Sequence, residues 1–175
     1  MTQQTIEFAS ELMLKAFKCL DNEISHPIHL IVGGGASLIL AHEIPLVTHD
    51  IDAIPRGTDL TQIDEEIKRV AQQISLPPDW LNPYFGAFTH VLPPDYESRL
   101  ICVFKGQRLE AHALGKDEML IMKCFAGRKK DVSHARALIQ KGASIEFAEK
   151  HIESLLEKKI PGAQNALDFL DECGG

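Results

Sequence analysis

The chain has 175 residues, 45% hydrophobic and 25% charged, with 18 Lys and Arg against 25 Asp and Glu for a formal net charge of −7. That length allows one domain, or a compact domain with a small helical appendage, and excludes two large independent ones. The acidic balance argues against non-specific wrapping of nucleic acid, which needs many phosphates neutralised by Lys and Arg.

Cys19, Cys102, Cys124 and Cys173 are scattered without a C-x-x-C pair, so neither a disulfide scaffold nor a structural zinc is expected. Residues 1–7 lack the basic and apolar regions of a signal peptide, and no apolar run reaches the ~20 residues of a membrane span. A reduced, cytoplasmic protein without a membrane segment is expected.

Apolar residues at helical spacing (Ile6, Phe8, Leu12, Leu14, Phe17, Leu20) predict a helix over 5–20 with Thr5 as N-cap. A buried strand over 29–32 follows, then the turn Gly33-Gly34-Gly35, a helix over 36–42 and a strand over 49–54. Asp59 or Thr58 caps a helix carrying Ile63, Ile67, Val70 and Ile74, which Pro77-Pro78 ends. Residues 77–95 hold five prolines with Trp80, Tyr84, Phe85 and Phe88, and read as an ordered aromatic connection. The runs 100–104 and 109–114 flank Lys105-Gly106-Gln107 as a hairpin. Beyond Lys116 the pattern is helical, over 116–127, 130–141, 144–158 and 162–172, with Gly142 and Pro161-Gly162 as breaks. The expected organisation is an α/β core over 1–115, including the N-terminal helix, and a helical segment over 116–175 packed on it.

Chemistry concentrates in Thr48-His49-Asp50-Ile51-Asp52. Residues i and i+2 of a strand share a face, so Asp50 and Asp52 project together and can bind a divalent cation; a merely polar strand face is the plain alternative. The glycine turn opens a helix and aims free N–H groups at an anion, with Gly33 and Gly34 against a phosphate and Ser37 adding a hydroxyl. No Gly-Lys-Ser/Thr follows, so it is not a P-loop. Glu110 is the candidate third carboxylate, since strand alternation turns it and His112 away from Leu109, Ala111 and Ala113; exposure to solvent would explain it as well. His112 leaves a histidine-containing metal site open. Lys123, in the apolar stretch 119–126, must snorkel, pair with an acid, or meet a ligand's negative charge. With Arg128, Lys129 and Lys130 it forms the one basic concentration, where a triphosphate contact is expected. His49 reads as structural and His134 as a surface or packing residue.

The arrangement of the glycine turn, Thr48-x-Asp50-x-Asp52, and Lys123-x-x-Ala126-x-Arg128-x-x-Asp131 resembles the minimal nucleotidyltransferases of bacteria over roughly residues 28–145. The closest likeness is to small members, including toxins of toxin–antitoxin systems. The resemblance implies a polymerase-β-like palm: a short mixed sheet with C-terminal helices. It also implies that Gly33 and Gly34 hold the nucleotide phosphates, Asp50 and Asp52 hold Mg²⁺ or Mn²⁺, and Lys123 contacts phosphate. Two positions depart from the pattern: Leu46 stands where a basic residue is common, and His134 where an acid is common. The expectation is transfer of a nucleoside monophosphate from an NTP to an RNA or protein acceptor, with Asp50, Asp52 and Glu110 on the metals and a cognate toxin or antitoxin protein as partner. The rival expectations are a catalytically silent protein-binding relative and a metal-dependent hydrolase using His112.

Overall fold

A computed structural model of the chain describes residues 3–175, with side chains described from Ala9 onward. Two compact units divide it: one made of the residues up to 87 with 100–114, the other of 88–99 with 115–175. The aromatic connection 77–95 is therefore split between them. The C-terminal helices carry residues 88–99 with them.

In the first unit, helix α1 (Gln3–Glu23) begins ahead of Thr5, which lies inside it and does not cap it, while the side chains of Ile6 and Phe8 lie outside the described residues. Strand β1 (Ile28–Val32), helix α2 (Gly34–His42), strand β2 (Ile51–Pro55) and helix α3 (Asp64–Ile74) follow. Asp59 caps the turn before α3 by accepting the Thr61 N–H at 2.7 Å. The helix α3 stops before the prolines, because Ser75 adopts a left-handed conformation with φ 58°. A two-residue strand β3 (Leu81–Asn82) and the hairpin β4 (Ile101–Lys105) and β5 (Leu109–Ala113) complete a five-stranded sheet in the order β3-β2-β1-β5-β4. The pairs β1–β2 and β4–β5 are antiparallel, and β1–β5 and β2–β3 parallel, so the sheet is mixed.

Strand alternation sorts the two faces of this sheet. Leu30, Val32, Leu109, Ala111 and Ala113 join one apolar core with Phe17 and Leu20 of α1 and Ile67 and Val70 of α3. Trp80 belongs to that core, and its indole N–H donates to the Ile67 carbonyl at 2.9 Å, so its polar handle is satisfied. His29, Glu110 and His112 lie on the other face and are half-buried.

The hairpin is held from a distance. The carboxylate of Asp21, 1% exposed, accepts the N–H groups of Gln107, Arg108 and Leu109 at 3.0, 2.7 and 2.8 Å. Burial works to raise this carboxyl, but the three backbone donors outweigh it and hold it below the usual range. Gly106 is required beside it, because a Cβ there would overlap the Asp21 carboxylate.

The second unit contains helices α4 (Lys116–Ala126), α5 (Asp131–Gln140), α6 (Ile145–Glu157) and α7 (Ala163–Gly174). Met119, Leu120, Leu138, Ile152 and Leu170 are among its buried side chains. Ser144 caps α6 by accepting the Phe147 N–H at 3.0 Å. Arg99 forks onto Asp95 at 2.8 and 2.9 Å, donates to Glu118 at 2.6 Å and lies over the Phe147 ring.

Candidate active site

The glycine turn and the two aspartates adjoin. The N–H of Gly33 donates to the Asp52 carbonyl at 2.8 Å, extending the β1–β2 ladder to the mouth of α2. Gly34 adopts φ +55°, and a Cβ on it would lie 3.1 Å from Asp52 Cβ, so both backbone and space demand glycine. Helix α2 has no side-chain cap at Gly33, and its first turn presents uncapped N–H groups beside the carboxylates.

Asp52 lies on β2, whereas Asp50 precedes that strand in a bend, so simple alternation along one strand is not what pairs them. Asn82 does. It pairs in register with Asp52 through β3, and its side-chain amide donates to Asp50 Oδ2 at 2.8 Å. Thr48 donates its hydroxyl to Asp50 Oδ1 at 3.1 Å, and the Phe85 N–H donates to Asp52 Oδ1 at 2.9 Å. Among the described residues no cationic side chain forms a salt bridge to either aspartate. Burial pushes the Asp52 carboxyl above its usual range, and the neighbouring Asp50 charge adds to that against the Phe85 N–H bond. Two carboxylates held by neutral donors, one of them short of solvent, form a set that a hard divalent cation suits.

The aromatic connection reaches this site. Phe85, 3% exposed, packs on the turn, and a Cβ on Gly33 would lie 3.0 Å from its ring. Asn82 and Phe85 were not identifiable from the sequence as site residues. The one local signal is the dipeptide Leu81-Asn82 ahead of Pro83, the form of a short edge strand, in which proline cannot continue the ladder. Asp50 also lines a cleft of about 300 Å³, with Met13, Ala16, Leu46, Thr48 and His49 on its walls.

Glu110 is not part of this constellation. It pairs in register with His29, whereas Asp52 bonds Gly33, four residues farther along β1, which at ~3.3 Å per residue is about 13 Å of strand. Its carboxylate faces Lys105 Nζ at 3.3 Å. The expectation of a third metal ligand is corrected by strand order, which places β1 between β2 and β5. Ser37 is also reassigned: fully buried, it donates its hydroxyl to the Leu114 carbonyl at 3.1 Å and holds α2 to the end of β5. His49 is exposed in the loop before β2 and lines the cleft.

Lys123 and Arg128 belong to the second unit, where both bind Asp131. Lys123 Nζ donates to Oδ1 at 2.9 Å, and the Arg128 Nε donates to Oδ2 at 2.7 Å. Of the three sequence options for Lys123, the structure shows pairing with an acid. Asp131 is 0% exposed; burial works to raise its carboxyl, yet hydrogen bonds from Arg128 and Lys123, with the His134 ring 3.8 Å away, hold it well below the usual range. Burial lowers the Lys123 ammonium against the pull of Asp131. With two fixed cations on one carboxylate, the cluster keeps surplus positive charge at the half-exposed Arg128 side chain.

No helix among the described residues is long and apolar enough to cross a membrane. No curated protein and no solved structure matches the chain. A family model matches residues 13–159, a span that takes in the glycine turn, both aspartates, Lys123 and Asp131. The chain thus belongs to a nucleotidyltransferase family, the one described as "Nucleotidyltransferase of unknown function (DUF6036)".

Proposed function

We propose that the protein transfers a nucleoside monophosphate from an NTP to an acceptor hydroxyl on RNA or protein, using Asp50 and Asp52 beside the glycine turn. The observation that carries this reading is the unneutralised carboxylate pair next to the uncapped start of α2. Held by Asp50 and Asp52, a divalent cation such as Mg²⁺ or Mn²⁺ supplies positive charge to phosphate oxygens and to the group that leaves. The N–H groups at the head of α2 bind phosphate, and Gly34 keeps that approach free of a side chain. Asn82 and Thr48 orient Asp50, while Phe85 orients Asp52. The phosphate role that the resemblance gives Lys123, and that the basic concentration gives Arg128, is supported by the surplus charge of their cluster. The sequence resemblance to toxin-type members suggests an RNA end or a protein side chain as acceptor and a cognate partner protein; the acidic chain favours a small RNA footprint.

The test is incubation of the purified chain with each α-labelled NTP, Mg²⁺ and cell RNA or lysate. Labelled macromolecule that disappears with Asp50→Asn and with Asp52→Asn is the expected result. Labelling that survives both substitutions overturns the assignment, and labelled NDP or NMP without labelled macromolecule assigns hydrolysis instead.

One observation favours a silent, partner-binding relative: Phe85 packs on Gly33, and its N–H already occupies Asp52. Under that reading neither transfer nor NTP binding occurs. NTP binding gained on Phe85→Ala would identify the aromatic as the obstacle.

A further inference from the structure

We propose that His29, Glu110 and His112 form a binding site for one borderline divalent cation of the Zn²⁺ class, on the sheet face opposite the α1 and α3 core and away from Asp50 and Asp52. The fold builds this set without any loop. Parallel pairing of β1 and β5 puts His29 directly across from Glu110, and His112 follows two residues along on the same face. One ligand atom from each side chain lies within 4.8 Å of the others. All three are half-buried, so they are partly desolvated yet reachable from solvent.

The local chemistry already has the form of a site waiting for a cation. His29 Nε2 and His112 Nδ1 face each other at 2.7 Å, a distance at which one nitrogen donates a proton to the other. A cation replaces that shared proton. Two Zn–N bonds of ~2.0–2.1 Å at a tetrahedral angle need nitrogens about 3.4 Å apart, so the imidazoles must separate by roughly 0.7 Å. Glu110 supplies the anionic ligand. Its Oε1 faces Lys105 at 3.3 Å, an exposed surface contact that a divalent charge outcompetes.

Ligand type separates this site from the aspartate pair. Imidazole nitrogen with one carboxylate selects Zn²⁺, Ni²⁺ or Cu²⁺, whereas carboxylate oxygens alone suit Mg²⁺ and Mn²⁺. Three protein ligands leave a coordination position for water or another small ligand. Cys102, across from His112 in register, is exposed and its thiol points to the Phe104 carbonyl at 3.7 Å, so it is not counted in the set. The inference does not depend on nucleotidyl transfer.

The test uses the tag-free full chain carrying Cys102→Ser, titrated with ZnCl₂ by calorimetry and with Co²⁺ by visible absorption. One equivalent is expected, with d–d bands from Co²⁺ and a rise in Tm on Zn²⁺ addition. Asp50→Asn with Asp52→Asn should leave that equivalent in place. His29→Gln and His112→Gln should each weaken it by more than about 100-fold, beyond the loss an outer hydrogen-bond partner causes. Absence of binding in the Cys102→Ser chain overturns the proposal. So does binding that survives both histidine substitutions, or loss with the aspartate variant alone. Should a histidine variant fail to fold, NMR shifts of the His29 and His112 rings on Zn²⁺ addition to the unsubstituted pair decide the matter.

Discussion

Asp131 and Asp52 are both aspartates withdrawn from water, yet their surroundings are opposites. Asp131 is fully buried and receives Lys123 and Arg128, so its charge is cancelled within the protein. Asp52 meets a backbone N–H and a second carboxylate, so its charge is not cancelled at all. The first arrangement is complete as it stands and contributes to stability. The second costs stability, which accords with the cation-binding role proposed for it.

The sharpest break of this contrast is Asp131→Ala. It leaves Lys123 buried without its anion, and loss of about 3–5 kcal/mol is expected in urea unfolding of the intact chain. Only in strong acid does the same cluster lose its contribution. Because the folded carboxyl lies below the ordinary aspartate value near 3.8, its stabilisation is present above that value and is lost as pH falls through the lower folded one. A drop in Tm smaller than that of an exposed charge change would show that the pair is not self-contained.

At the other aspartate the signs should separate. Asp52→Asn preserves an acceptor for the Phe85 N–H while removing an uncompensated charge. It is expected to raise Tm of the cation-free protein by a few degrees, since about 1 kcal/mol corresponds to ~2–4 °C at this size. The same change should lower nucleotidyl transfer by about 1000-fold, or ~4 kcal/mol. A fall in Tm together with unchanged transfer would place Asp52 among the structural acids.

Asp21 sharpens the comparison from a third direction, since three neutral N–H donors satisfy it and its one cation, the exposed Lys18, stands 4.0 Å off. Asp21→Ala strands three N–H groups and should cost about 2–3 kcal/mol by chemical denaturation. Its folded carboxyl is also depressed, so its contribution holds above about pH 4 and is lost as pH falls through the folded value. The smallest effect is expected from Arg128→Gln. With 55% of that side chain exposed and Lys123 still on Asp131, about 1 kcal/mol or less should be lost, while affinity for inorganic phosphate falls.

Local pattern made much of this molecule legible. The alternation of residues 109–113, the turn at Gly106 and the 3.6-residue spacing through Ile67 and Val70 each report short-range geometry, and all three elements are present. The glycine turn was legible for the same reason, whereas Asp50 and Asp52 are brought together by Asn82 and not by the strand alternation that singled them out. What was not legible depends on which strand lies beside which. Glu110 reads like a third ligand until β1 is placed between β2 and β5, and Ser37 reads like a phosphate contact until Leu114 is brought 77 residues along the chain to meet it. Asn82 was hidden because two residues among prolines carry no periodicity.

Asp21 and its three hairpin donors stand 86 to 88 residues apart in the chain. A β-hairpin ordinarily closes within microseconds as a local event. Here the corner of β4–β5 exchanges water for its carboxylate acceptor only when the end of the first helix arrives, so its completion waits on a long loop closure. The turn that looks most autonomous is therefore among the last pieces to lock.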